Sequence, residues 1–118
     1  MKVKRFGSMS IAYQENDLGQ SIIIASYDTP IAYAIKYKEP YSRKNYARFD
    51  SRFYSHTTRK HQGIAYSVLD SFNKYGFGFI TTCLMQSKSQ EQLKKYFGYT
   101  PKEKQYNTSE IDTAWVNK

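Results

Sequence analysis

The stretch "SIIIASYDTPIAYAIKYK", residues 21–38, decides the fold class. Residues 21–27 are a β-branched run suited to a central strand. After a short polar break, Pro30 opens a second segment, because proline can start a strand but not lie inside one. In residues 31–38, isoleucine and tyrosine (Ile31, Tyr33, Ile35, Tyr37) alternate with alanine and lysine, so we predict a second strand with two different faces.

Two further strands flank this stretch. Residues 8–14, "SMSIAYQ", alternate in the same way, and "ENDLGQ" supplies a turn that makes a hairpin with residues 21–27. After a loop at 39–45, "YARFDSRFYS", residues 46–55, is predicted as a strand. Period two sends Phe49 and Phe53 to the core. The opposite face is then a stripe of alternating rings and charges: Tyr46, Arg48, Asp50, Arg52 and Tyr54.

Helices follow. Thr57 or Thr58 can cap a helix whose apolar face repeats at helical spacing and which ends in residues 73–76. Residues 76–85, "GFGFITTCLM", are interpreted as a buried strand. A shorter helix starts near Ser87, has Gln90 as its capping-box partner, and ends at Gly98. We predict one α+β domain over residues 1–118, an antiparallel sheet of four to five strands with one principal helix packed on it and a short second helix.

Positive charge is concentrated in one part of the chain. The formal net charge is +8, and residues 41–62, "YSRKNYARFDSRFYSHTTRKHQ", carry six Arg or Lys and one acid. A generally solubilising surface would spread its charge more evenly. The concentration favours an acidic partner such as nucleic acid, since a positive field attracts phosphates before specific contacts form.

Cysteine and hydropathy patterns indicate the compartment. Cys83 is the single cysteine, which excludes a disulfide within the chain and a cysteine-rich zinc site. The first residues form no signal-type apolar block, and no apolar run reaches membrane-spanning length. We expect a cytoplasmic protein with no membrane partner.

Two constellations could bind phosphates. At the helix start, Thr57, Thr58, Arg59, Lys60 and Gln62 combine hydroxyls and cations with unpaired N–H groups. Cations in the first turn of a helix are repelled by the positive end of the helix dipole, unless a bound anion compensates their charge. The alternative is a solvated helix start.

The stripe on residues 46–54 is the second constellation. Its rings could stack on bases while its guanidiniums meet phosphates. Lys36 and Lys38 extend this face if the strands pair suitably. The alternative is a solvent face on which Asp50 pairs with Arg48 and Arg52.

Signals for catalysis are weaker. His56 and His61 are five residues apart, which does not align two metal ligands on a helix, so no metal is expected. No phosphate-loop or dinucleotide motif is present, and no cofactor is expected. Metal-independent ribonuclease activity using the two histidines stays open as an alternative, because imidazole titrates near neutrality.

Two segments carry a resemblance. "SYDTPIAY", residues 26–33, and "YSHTTRKHQ", residues 54–62, resemble an uncharacterised family of small phage and mobile-element proteins of Gram-positive bacteria. Its pattern is Tyr-x-Thr-Pro-Ile-Ala followed by Tyr-Ser-x-Thr-Thr-x-Lys-His-Gln. The resemblance implies a phage-like origin and no particular reaction.

We therefore expect a non-catalytic protein that binds nucleic acid, DNA or RNA, or a nucleic-acid-bound host protein such as a defence nuclease. A counter-defence role as an anti-CRISPR-like inhibitor or regulator would fit a phage-like origin. The expected binding residues are rings, hydroxyls and cations: Tyr46, Arg48, Arg52, Tyr54, Thr58, Arg59 and Lys60. The alternative is a protein-binding inhibitor that uses its tyrosine-rich surface and the tail around Trp115.

Overall fold

The structure, a computed structural model, describes residues 1–38 and 45–105 and, at position 46, the backbone alone. The strands are Lys2–Phe6 (β1), Met9–Asn16 (β2), Gly19–Ser26 (β3), Thr29–Tyr37 (β4) and Tyr46–Phe49 (β5). The helices are His56–Tyr75 (α1), Phe77–Gln86 (α2) and Gln90–Phe97 (α3), followed by a 3-10 turn at Lys102–Lys104. The expectations for the loop at 39–44 and for the tail around Trp115 lie outside the described residues.

The five strands form one antiparallel sheet in sequence order, β1-β2-β3-β4-β5. Each strand pairs with the next along the chain, and tight turns join the first four. At the β3–β4 turn, Tyr27 and Asp28 both have positive φ, the geometry of the short turns that match strand twist. The prediction of an α+β fold with one principal helix, here of 20 residues, is confirmed.

One face of the sheet carries the helices and the core. Alternation along the strands places these side chains on it: Met9, Ile11, Tyr13, Ile22, Ile24, Ala32, Ala34, Ala47 and Phe49, all buried. From α1, Ile64, Val68, Leu69 and Phe72 pack above them and have no exposed surface. The ring of Phe49 meets Tyr66 edge-on at 5.1 Å between centroids, which joins β5 to α1.

Two lysines also point to the helix side, at its margins. Lys36 donates a hydrogen bond to the carbonyl of Phe72, near the end of α1, over 2.6 Å. Lys4 donates to the carbonyl of Leu84, near the end of α2, over 2.5 Å. Each ammonium meets the negative end of a helix dipole, so these contacts stabilise the helix ends. The expected role of Lys36 on the arginine face is therefore wrong; burial lowers the pKa of its ammonium.

Helix boundaries differ from the expected ones by a few residues. Ser55, not Thr57 or Thr58, caps α1, and its hydroxyl accepts from the Thr58 N–H. Ser89, not Ser87, caps α3, and its hydroxyl accepts from the Gln92 N–H. In both helices a serine satisfies a free first-turn N–H, which is the reason serine is favoured there.

Three elements differ from the predictions. Residues 77–86 form α2 rather than a strand, because Ile80, Cys83 and Leu84 lie at helical spacing and reach the core together. β1 was not predicted, since its basic residues hide a weak alternation. β5 ends at Phe49, so period two does not continue and the predicted core residue Phe53 is 59% exposed.

Candidate functional site

The two segments that carry the family resemblance meet at one end of the molecule. Ser26, at the end of β3, lies 2.6 Å from Nδ1 of His61 and 3.0 Å from the Thr58 hydroxyl, both on α1. The ring of Tyr27 approaches His61 at 6.0 Å between centroids. Ser26, Thr58 and His61 thus join the end of β3 to the first turns of the helix.

This junction is buried. His61 is 1% exposed and Thr58 is also buried, with its hydroxyl directed at Ser26 and Ser55. Burial lowers the pKa of the His61 imidazole, because the apolar surroundings disfavour its charged form. The expectation that Thr58 faces a phosphate is therefore wrong. The ribonuclease alternative also loses support, since His61 does not face solvent beside the exposed His56.

Gln62 has a structural role as well. Its side-chain amide donates to the carbonyls of Asp50 and Arg52, each over 2.8 Å, and its side chain is fully buried. Two backbone carbonyls of the segment after β5 are satisfied in this way. Gln62 was predicted to meet a phosphate. In the structure it instead holds that segment against α1.

The segment after β5 is organised around the Asp50 carboxylate. Arg52 donates to it in bidentate fashion, with Nη2 at 2.8 Å from Oδ2 and Nε at 3.1 Å from Oδ1, and Tyr54 donates its hydroxyl to the same carboxylate. Partial burial raises the pKa of Asp50, but the hydrogen bonds from Arg52 and Tyr54 outweigh it and lower that pKa to about 2. The alternative in which Asp50 neutralises an arginine thus holds for Arg52.

The remaining predicted residues of α1 behave differently from each other. Arg59 donates from Nη1 to the Ser51 carbonyl over 2.9 Å and lies 5.7 Å from the centre of the Phe53 ring. Phe53 in turn meets His56 edge-on at 5.4 Å. Lys60 is exposed. The start of α1 therefore presents rings and cations, with Arg59 engaged by the Ser51 carbonyl and Lys60 exposed.

Arg48 is the predicted binding residue that has no acidic partner among the described residues. It lies on β5, is exposed as predicted, and takes part in none of the ion pairs among the described residues. Its cross-strand neighbour on β4 is Tyr33, whose neighbour on β3 is Ile23. Arg48 thus lies at the end of a row that crosses the sheet on the side away from the helices.

That side of the sheet is here called the open face. It consists of the alternate side chains of the strands: Val3, Arg5, Ser10, Ala12, Gln14, Ser21, Ile23, Ala25, Tyr33, Ile35, Tyr37, the position of Tyr46, and Arg48. Ser21 is buried, but the other described side chains of this face are partly or fully exposed, unlike those of the helix-facing side. Within these five strands no Asp or Glu occupies an open-face position, whereas Arg5 and Arg48 stand on the two edge strands.

A cleft of about 560 Å³ adjoins the open face where β3 and β4 meet the segment after β5. Its lining residues are Ile23, Pro30, Ile31, Ala32, Tyr33, Arg48, Phe49, Asp50 and Arg52. A β-bulge near Ile24 and Ala25 leaves Ile31 without a partner in β3. Ile31 forms part of the wall of the cleft. The cleft brings Arg48 and Arg52 together over an apolar floor.

Sequence reasoning therefore found part of the site. Arg48 and Arg52 come together at the cleft, whereas Arg59 and Lys60 belong to α1 and the side chain of Tyr46 lies outside the described residues. Tyr33 and Ile23 were not assigned to the site. Their alternation was visible in the sequence, but the β3–β4–β5 register that sets them beside Arg48 was not.

Neither a metal-binding cluster nor a membrane-spanning helix occurs in residues 1–38 and 45–105. No group of three or more His, Cys, Asp or Glu side chains there is placed to hold a metal ion. Among those residues no helix has both the length and the apolar character needed to cross a bilayer. No protein-family model, curated protein or solved structure matches the chain. The resemblance to phage proteins thus stays a prediction that rests on the quoted residues.

Proposed function

We propose that this protein binds single-stranded nucleic acid without catalysis, using the open face and the adjoining cleft. One observation carries the proposal: a sheet face without carboxylates has Arg5 and Arg48 on its edge strands and Ile23 and Tyr33 between them. A polyanion with flat apolar groups suits such a face, because its phosphates meet the arginines while its bases cover the centre.

The apolar centre favours a single strand over a duplex. A duplex presents phosphates and sugars on its outside and keeps its bases stacked within. A single strand can lay unstacked bases on a sheet and on an aromatic ring, as sheet-based RNA-binding modules do. Tyr33 and Ile23 supply the surface for such contacts, and Arg48 lies beside them.

Arg48 is expected to matter more than Arg52. The Asp50 carboxylate already neutralises Arg52 through two hydrogen bonds, so a phosphate would compete with a fixed partner. Arg48 has no ion-pair partner among the described residues. Asp50 instead orients the Arg52 guanidinium. That guanidinium lines the cleft and limits which ligand groups fit there.

A counter-defence or regulatory role is part of the proposal. It rests on the resemblance of residues 26–33 and 54–62 to phage proteins and on the net charge of +8. A strand held by a host defence nuclease would be a suitable ligand, since a basic protein is attracted to the exposed nucleic acid of such a complex.

Fluorescence anisotropy with a labelled oligonucleotide tests the proposal. DNA and RNA strands of one sequence, and their duplexes, are titrated with protein over a series of salt concentrations. We expect Arg48→Ala to weaken single-strand binding and to reduce the slope of log K against log salt by about 0.7, the value for one phosphate contact on a single strand. Tyr33→Ala should cost about 1–3 kcal/mol, the range for one stacked base, and leave the slope nearly unchanged.

Lys102→Ala is the matched control, because it removes one exposed charge from the 3-10 turn that follows the helices. Its affinity and salt slope should stay close to those of the unmodified protein. The proposal is wrong if Arg48→Ala and Tyr33→Ala bind like the control, or if duplexes bind as tightly as single strands.

A second candidate function, binding to a protein, is favoured by exposed rings at the start of α1. Phe53 and Tyr54, just before α1, are 59% and 45% exposed, and Tyr27, in the β3–β4 turn, is 58% exposed. Rings of this kind anchor protein interfaces. A pull-down from host lysate with and without nuclease separates the two functions. A partner retained after nuclease treatment, and lost on Phe53→Ala, would favour protein binding over the open-face proposal.

A further inference from the structure

The Arg52 guanidinium is held in a fixed orientation at the cleft. It lines the cleft and its side chain is 69% exposed, whereas the Asp50 side chain that holds it is 16% exposed. Nε and Nη2 of Arg52 donate to the Asp50 carboxylate, and Nη2 also donates to the Tyr54 hydroxyl over 2.8 Å. A guanidinium has five N–H groups, so the two on Nη1 stay without a partner among the described residues.

The charge of Arg52 is compensated, unlike that of Arg48. Because the Arg52–Asp50 pair has no net charge, a phosphate at Nη1 would be attracted by the guanidinium and repelled by the carboxylate behind it. A neutral group with lone pairs accepts from the same N–H groups without that repulsion. Arg48 also lines the cleft and is in none of the ion pairs of the described residues, so it is the arginine that suits a phosphate.

The rest of the cleft suits the faces of a flat ring. Its volume of about 560 Å³ is in the usual range for ligand pockets. The apolar wall includes Pro30 and the buried residues Ile31 and Ala32. The Asp50 carboxylate, the charged acceptor of this lining, is already engaged. The charged groups left for a ligand are therefore guanidinium donors, which select a flat molecule with acceptors along one edge.

Among the bases, guanine has this pattern. Its N7 and O6 are adjacent acceptors that arginine binds well, whereas adenine carries an amino donor beside N7. Uracil and thymine have an N–H donor between their two carbonyls. Cytosine has adjacent acceptors, N3 and O2, but O2 lies next to the sugar and the single ring covers less of the apolar wall.

We infer that the cleft selects guanine among the bases of a bound single strand, an inference that rests on the proposed function. Nη1 of Arg52 donates to O6 and N7 of the base, while Arg48 meets a phosphate of the same strand. Asp50 contributes by holding the guanidinium and by compensating its charge.

Fluorescence anisotropy with short thymidine strands tests the preference. Each strand carries one central deoxyguanosine, deoxyadenosine, deoxycytidine, deoxyinosine or 7-deazadeoxyguanosine. The guanosine strand should bind at least about fivefold more tightly than the adenosine and cytidine strands, the lower end of the range for a bidentate base contact. Inosine keeps O6 and N7 and should bind like guanosine, whereas 7-deazaguanosine lacks N7 and should bind more weakly. A weakly bound inosine strand would show that another edge of guanine is read and would overturn the inference.

Two arginine variants assign the preference to one side chain. Arg52→Ala should remove it, so that the guanosine and adenosine strands bind equally. Arg48→Ala is the matched control, because it removes the other guanidinium of the cleft. It should weaken binding of every strand and retain the ratio between guanosine and adenosine. A ratio that survives Arg52→Ala, or that Arg48→Ala abolishes, contradicts the assignment.

Free nucleotides separate a failure of guanine selection from a failure of the proposed function. Guanosine and adenosine 5′-monophosphates are titrated into isotope-labelled protein, and the amide resonances of Ala32 and Asp50 are followed by NMR. We expect them to respond to the guanine nucleotide at lower concentration. Strands that bind equally whatever their central base overturn guanine selection and leave single-strand binding intact. If no strand binds, the proposed function is wrong, and equal responses to the two nucleotides would then also exclude a guanine site.

Discussion

Lowering the pH should destabilise the protein through His61. The imidazole is buried, its Nδ1 lies 2.6 Å from the Ser26 hydroxyl, and burial lowers its pKa below the ordinary value of 6.5. Above pH 6.5 the ring is neutral in both the folded and the unfolded chain, so its contribution to stability is complete. Below pH 6.5 the unfolded chain binds a proton that the folded chain does not, and the free energy of unfolding falls.

The size of the expected loss in the free energy of unfolding follows from the binding of one proton. A single group changes the free energy of unfolding by at most about 1.4 kcal/mol per pH unit, and only between the folded and unfolded pKa values. Asp50 does not interfere, because its pKa is lowered from 3.8 to about 2 and its stabilising contribution is lost only at lower pH. The loss between pH 6.5 and the carboxylate range is therefore attributable to the buried imidazole.

Urea denaturation followed by circular dichroism, at a series of pH values, measures this slope. His61→Asn keeps an amide near the position of Nδ1, so a hydrogen bond to Ser26 can form, but it cannot titrate. His61→Asn should therefore abolish the fall in the free energy of unfolding below pH 6.5. His56→Asn, at an exposed position, should retain that fall. An unchanged slope in His61→Asn would refute the reasoning, and so would a flat profile in the unmodified protein.

Two further substitutions test how the helical layer is assembled. Gly63→Ala should cost about 1–3 kcal/mol of stability in thermal unfolding, because its Cβ would overlap the Tyr99 ring; the cost should nearly vanish in a Tyr99→Ala background, and its persistence there would contradict the explanation. Gln62→Leu should cost a similar amount, about 1–3 kcal/mol, because it leaves the carbonyls of Asp50 and Arg52 without their donor. An unaltered unfolding midpoint would show that this donor is dispensable.

Elements with a consistent local pattern were predictable from sequence. The alternation in β2 and β4, the turn between β2 and β3, and the helical spacing of Ile64, Val68 and Phe72 are all set by neighbours along the chain. These signals were sufficient for the fold class. They were insufficient at α2, where aromatic and β-branched residues favour a strand while the spacing of Ile80, Cys83 and Leu84 favours a helix. Packing of those three side chains on the core decided for the helix.

The face of β4 that meets the core was a tertiary outcome. Its sequence offers a side with Ile35 and Tyr33 and a side with Ala32, Ala34 and Lys36, and hydrophobicity favours the first as the core side. In the fold α1 lies over the alanines, whose small side chains allow a helix to approach the sheet, and the Lys36 ammonium reaches the carbonyl of Phe72. The tyrosines therefore remain on the open face.

The sequence by itself determined that the cations between residues 43 and 60 outnumber the acids, and that Arg48 points away from Ala47 and Phe49. Only the tertiary structure decided what each cation meets. Arg52 is paired with Asp50 just after β5 ends at Phe49, while Arg48 lies beside Tyr33 through the register of β4 and β5. The physical reason is that alternation is a property of neighbouring residues, whereas strand register and burial depend on groups far apart in the chain.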